Sequence, residues 1–175
     1  MAAKSKEEIY FSVCNTILKY ELNKGHLAWT LSDISRDSGV TRSLIYYYFG
    51  KEKQIILEEA YKFIIMTFFN PSRENSVGIR ERIKQLLVDL KAMPYLFVLY
   101  YLQKNQDTYF GRMIRQSEEL LLKSFKVDYP ELTEAQVMEI YLMELGAIAF
   151  HLSQEMADEI FGAYERKHPG PRLKT

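Results

Sequence analysis

Residues 30–53 read TLSDISRDSGVTRSLIYYYFGKEK, and the turn at their centre organises what lies around it. Gly39 stands between two short amphipathic segments, where a tight turn between crossing helices needs a residue that enters positive φ freely. Thr30 directly precedes the apolar pair Leu31 and Ile34, and Asp33 is placed for its carboxylate to reach back, a capping box with Asp in place of the usual Glu or Gln. This predicts a helix over 31–38. After the turn, Thr41 is positioned to cap another short helix whose buried side carries Ile45 and Phe49, with Val40 just ahead of it.

What remains on the outside of that second short helix is chemically specific. Arg42 and Tyr46 are four apart, as are Ser43 and Tyr47, so all four share the face opposite the buried one. A guanidinium can chelate the O6/N7 edge of guanine, hydroxyls can donate to bases or phosphates, and a ring edge can touch a thymine methyl. An ordinary amphipathic helix with a solvated polar face would show the same periodicity, but two outward tyrosines count against it.

The run resembles the DNA-binding domain of the TetR family of bacterial transcriptional regulators, whose pattern is approximately T-x-x-x-I-A-x-x-A-G-V-S-x-x-x-L-Y-x-Y-F-x-x-K. Thr30, Ile34, Gly39, Val40, Thr41, Ile45, Tyr46, Tyr48 and Phe49 stand at its spacing with no gap, over about the first third of the chain. The resemblance implies that Thr41, Arg42, Ser43 and Tyr47 face base edges, that Leu44 lies near them, and that Tyr46 and Tyr48 hold phosphates; Thr30 belongs to the same DNA-contacting set. The chain departs from the pattern in three places. Ser35 and Ser38 replace small alanines, Lys51 stands at the usual cap before the fourth helix, and Glu52 replaces the usual phosphate-binding lysine, so that the contact is expected either to have moved by one residue, to Lys51 or Lys53, or to have been lost.

The 175 residues are 47% apolar and 26% charged, an ordinary globular balance long enough for one or two cores. No run approaches the roughly 20 apolar residues of a membrane span, and MAAKSKEE lacks the apolar segment of a signal peptide, so a cytoplasmic protein with no membrane partner is expected. The lone cysteine, Cys14, excludes an internal disulfide and reads as a small core residue. Net charge is zero, but residues 1–53 carry eight Lys and Arg against six acids, and the remainder fifteen against seventeen. That sign agrees with a local basic surface at the front without establishing one.

Around the central stretch the chain reads as helical throughout, with no strand alternation and no repeat. A first helix over about 6–23 buries Ile9, Val13, Ile17 and Leu18, with Cys14 and Leu22 beside them, and stops at Gly25. Relatives of this pattern carry Phe where Glu21 stands, so Tyr20 or Leu22 is expected to fill its place. Trp29 is placed as a hydrophobic staple to Ile34, or as plain core. A fourth helix from near Lys51 to Phe69 ends at the Asn70-Pro71-Ser72 break, within a polar loop reaching Gly78. Helix five follows from Ile83, Leu86, Leu87 and Leu90; helix six from Pro94 through Leu96, Leu99 and Leu102; helix seven spans about 107–127. Thr133 and Gln136 form a capping box for helix eight, and a last helix covers about 154–167. The expected fold is all-α: an N-terminal three-helix helix-turn-helix DNA-binding domain, 1–53, and a C-terminal helical ligand-binding and dimerisation domain, 54–175.

Helix eight is apolar on nearly every side from Ile140 to Leu152, so one face is expected to cover the chain's own core and the other a second copy. The interface expected from this covers Leu142, Gly146, Ala149, Phe150 and Ser153, with Ile160, Phe161 and Tyr164 of the last helix. A pocket for a small apolar or aromatic effector is sketched by Phe63, Met66, Tyr95 and Phe97, with Tyr100, Phe110, Met113 and Phe150, although rings and methionines at helical spacing also serve as ordinary core. His26, His151 and His168 are far apart and no nucleophile, phosphate-loop or metal motif is present, so neither an enzyme nor a cofactor or metal is expected. His151 is expected in the interior or the interface. These features point to a dimeric repressor bound to a palindromic double-stranded operator. An all-helical protein-interaction adaptor is the alternative, with a helical carrier or enzyme behind it.

Overall fold

Ser5, Thr30, Thr41, Thr108, Thr133 and Ser153 each stand directly before a helix and accept a hydrogen bond from one of its first free N–H groups. The computed structural model describes residues 5–69 and 78–168, and every regular element within them is a helix. These are α1 Lys6–Lys24, α2 Leu31–Ser38, α3 Arg42–Phe49, α4 Lys53–Phe69, α5 Ile79–Ala92, α6 Tyr95–Gln103, α7 Tyr109–Asp128, α8 Glu134–Ala149 and α9 Gln154–Lys167. The Thr30–Asp33 and Thr133–Gln136 capping boxes are both formed, and Ser5 with Glu8 makes a further one. The expected loop from Asn70 with its Pro71 break lies outside the described residues as far as Gly78.

Several boundaries and positions differ from expectation. Helix α4 starts at Lys53, because the Glu52 carbonyl accepts the first helical bond, from Ile56 N at 3.0 Å. Helix α7 starts at Tyr109, where the Thr108 hydroxyl accepts from Gly111 N at 3.0 Å. Helix α8 ends at Ala149 and does not continue to Leu152. His151 turns left-handed at φ 50, its N–H bonding Ile148 O and that of Leu152 bonding Ala147 O, the Schellman arrangement with His where Gly is usual. His151 is therefore an exposed terminator rather than an interior group, and Leu102, expected on the buried stripe of α6, is also exposed.

Helix α1 packs on α2, α4 and α6, and α4 continues onto α7; at the far end α5 packs on α8 and α9. The buried side chains make one continuous cluster, from Val13, Ile17, Trp29 and Ile45 through Ile56 and Ala60 of α4 to Ile83, Phe125 and Phe161. At the back of α4, Tyr61 stacks on Phe110 with centroids 3.8 Å apart. Asn15 of α1 donates to Ala92 O at the end of α5, at 3.0 Å, tying the first helix to the second half of the chain. Helices α5 and α8 are tied by charge: Arg82 forks onto Glu144 at 3.0 and 3.2 Å, and the Glu144 side chain is only 2% exposed. Burial pushes the Glu144 carboxyl above its ordinary range, with Arg82 pulling the other way.

Candidate nucleic-acid interface

The turn between α2 and α3 is built as the residues demand. Gly39 sits at φ 63, ψ 24, a left-handed conformation that costs glycine nothing, and the Ser38 hydroxyl accepts from Val40 N at 3.2 Å. Ile34, Val40, Ile45 and Phe49 are buried and clamp the two short helices to α1 and α4. Ser38, in the place of a small alanine, is thus used as a turn acceptor inside the core. Cys14 lies fully buried beneath, and its thiol is pushed well up by burial.

With that face sealed, α3 presents the remainder to solvent. Arg42, Ser43, Leu44, Tyr46 and Tyr47 are exposed, Tyr47 to 79%, while Tyr48 is half-buried. Tyr47 meets Tyr48 edge-on at 4.9 Å, Tyr48 meets Tyr10 of α1 at 5.7 Å, and the Tyr10 hydroxyl donates to Tyr48 O at 3.2 Å. This row of rings links Tyr47 through Tyr48 to α1 while leaving most of its ring open to solvent. Thr30 and Thr41 are both exposed N-caps; the Thr41 hydroxyl accepts from Leu44 N at 3.4 Å and shares a 3.0 Å hydrogen bond with Ser43 Oγ. Arg42 leans on the Ser32 hydroxyl at 3.4 Å.

The surrounding charges sort themselves into paired and unpaired. Arg36, Lys24 and Lys19 are drawn onto Asp33 and Asp37. The Lys24 ammonium, helped by Thr30, holds the Asp33 carboxyl well below the usual carboxylate range. Among the described residues Arg42 and Lys51 make no ion pair and stay available at the exposed side of α3.

A part of this platform escaped the sequence. Glu21 does not yield its place to Tyr20 or Leu22; its side chain, 4% exposed, fills it. The carboxylate accepts from Trp29 Nε1 at 2.6 Å and Leu27 N at 2.9 Å, and lies 3.1 Å from His26 Nδ1. Tyr20 turns instead to α2, its hydroxyl donating to Asp37 at 2.8 Å. Trp29 is fully buried, so it serves as core while it stands beside the Thr30 cap.

The two other expected sites fare differently. The residues sketched as a pocket differ in their surroundings. Met66 and Phe150 are 65% and 82% exposed, Phe110 is stacked on Tyr61, and Tyr100 is core, its hydroxyl 2.8 Å from that of Tyr141. Phe63, Tyr95, Phe97 and Met113 are half-buried against the core cluster. A groove of about 310 Å³ lies between α7 and α8, lined by Leu122, Val137 and Met138 together with charged side chains such as Glu119, Lys126 and Glu134. On α8, Leu142 is 59% exposed, Ala149, Phe150 and Ser153 are exposed, and a Cβ added at Gly146 would meet nothing within 4 Å. Ile160 of α9 is exposed and Tyr164 half-buried, but Phe161, expected with them, is buried against the chain's own core. One residue further round the helix it faces α5, with Gly162 lying against Arg80.

No protein-family model and no curated protein sequence matches the chain. Among solved structures it is similar to a protein from Rhodococcus sp. described as a candidate TetR-family transcriptional regulator, with 11% identity, a TM-score of 0.54, and coverage of 92% of this chain and 98% of that one. At that identity what the two share is the fold: an all-α chain opening on a helix-turn-helix and continuing into a larger helical body.

Proposed function

We propose that this chain is a sequence-specific DNA-binding transcriptional regulator that acts as a homodimer. The observation that carries it is the exposed face of α3, where Arg42, Ser43, Leu44 and Tyr47 project from a helix clamped below by Ile45 and Phe49 and capped by Thr41. Arg42 and Tyr47 supply guanine chelation and an exposed ring for the major groove, with Thr41 and Ser43 hydroxyls beside them. Tyr46, Tyr48 and the Thr30 hydroxyl serve the flanking phosphates. The fold shared with a protein described as a regulator of transcription supports the same assignment.

The second copy is proposed to sit on the outer row of α8, with Met138, Leu142, Gly146 and Ala149 at helical spacing, continued by Phe150 and by Ile160 of α9. Two α3 helices about 34–36 Å apart then enter successive major grooves and select a palindrome. Residues 1–53 form the reading domain and 54–175 the regulatory and dimerisation domain, with α4 as a stiff joint packed on α1 in front and α7 behind. Repression follows from occlusion of a promoter, and release from a small apolar or aromatic effector. Such an effector acts by favouring one separation of the two heads over another. Among the described residues no helix is long and apolar enough to cross a membrane.

The test is selection from random duplex DNA at physiological salt, with sequencing of the bound fraction. An enriched inverted repeat is expected. A folded protein that enriches no sequence would favour an adaptor that meets other proteins through its exposed tyrosines.

A further inference from the structure

The two lysines that flank Glu52 have separate jobs. In the link from 25 to 29, Leu27 is left-handed at φ 53, a conformation that a leucine adopts only when its surroundings hold it there. Its N–H is held from below by Glu21 of α1 at 2.9 Å, and its carbonyl is held from above by Lys53 Nζ, the first residue of α4, at 3.2 Å. The same ammonium lies 5.7 Å from the Trp29 ring centroid. Lys53 is thus a strut joining α4 to the strained link that delivers Thr30 and α2. Moving its charge onto a phosphate would leave the Leu27 carbonyl without that donor and loosen the platform beneath the reading helix.

Lys51 has no such duty. It is exposed, makes no ion pair among the described residues, and lies two residues past Phe49, the last residue of α3. Glu52 caps α4 through its carbonyl, a position where an acid suits the helix dipole, but its carboxylate repels a phosphate. Resting on the DNA-binding reading above, we infer that Lys51 makes the phosphate contact on this flank of α3, while Lys53 is a positioning residue that never leaves Leu27.

Salt dependence separates the two. Binding to a random-sequence duplex of about 30 base pairs, three helical turns, is measured from low to physiological salt for the full chain, Lys51→Met and Lys53→Met; the methionine keeps the stem and removes the charge. Lys51→Met is expected to reduce the slope of log Kobs against log salt by about one per bound subunit, with the emission of Trp29, the one tryptophan, unchanged. Lys53→Met is expected to keep the slope and shift that emission, because the ammonium beside the ring is gone. A slope lost in Lys53→Met and retained in Lys51→Met overturns the assignment alone. An unmodified chain that binds the duplex with no salt dependence overturns the DNA-binding reading together with it.

Discussion

Replacing Arg82 by Met is the perturbation whose cost the structure defines most directly. Arg82 is the bidentate partner of Glu144, whose side chain is 2% exposed, and removing it strands a carboxylate between α5 and α8. Breaking a buried pair from one side costs about 3–5 kcal/mol. For a chain of this size each kcal/mol moves the melting temperature by about 2–4 °C, so a fall of about 10 °C is expected at neutral pH. The pH dependence carries a sign. Burial already holds the Glu144 carboxyl above its ordinary range with Arg82 opposing, and without Arg82 it rises further. A raised carboxyl pKa means that the folded state keeps a proton the unfolded state has released, so stability present at low pH is lost as pH rises through the raised value. The deficit of Arg82→Met therefore shrinks toward pH 4, the ordinary carboxylate range. Removing both charges, Arg82→Met with Glu144→Leu, should restore or exceed the parent's stability. The assay is thermal unfolding followed by helical circular dichroism at one fixed protein concentration, since association would shift the midpoint. A single variant within about 1 kcal/mol of the parent, or a double variant as unstable as the single, would refute the reasoning.

Further outcomes follow from the other sites. Arg42→Ala should lose about 1–3 kcal/mol of specific DNA affinity with its melting curve intact, and unchanged operator affinity in a titration removes Arg42 from base reading. Gly146→Leu should weaken association while raising helix stability by about 1 kcal/mol, because a Cβ there meets nothing within 4 Å; sedimentation that stays dimeric at every dilution moves the interface off this face. Asp33→Asn should destabilise the α2 cap at neutral pH. Since the Asp33 carboxyl is held low by Lys24 and Thr30, its contribution is present above the ordinary value and lost as pH falls through the lowered one, so parent and variant converge in acid. Parallel unfolding curves at all pH values would contradict that role.

What could be read from the chain and what could not divide along the range of the interactions. Thr30 with Asp33, Thr133 with Gln136, and the stops at Gly25 and Gly39 were legible because each closes hydrogen bonds within a few residues, whatever the rest of the chain does. The buried row of Ile34, Val40, Ile45 and Phe49 was legible for the same reason: helical periodicity puts those side chains on one side, and so leaves Arg42, Ser43, Tyr46 and Tyr47 on the other. Periodicity could not say which apolar residues would find cover. Phe161 is buried and Ile160 exposed because α5 lies on one side of α9 and not the other. Phe150 is exposed because His151, with no glycine to announce it, ended α8 at Ala149, three residues short of Leu152. The buried charges were least legible of all. Glu21 and Glu144 look like surface acids on a helix, and only the approach of Trp29 and Leu27 to one, and of Arg82 from 62 residues away to the other, makes them structural. Local hydrogen bonds and helical spacing were therefore enough to determine the all-α fold and which face of α3 is turned outward. Which cation stays unpaired, and which apolar surface stays uncovered, were decided by the packing of distant helices, because burial and pairing depend on what arrives at a site.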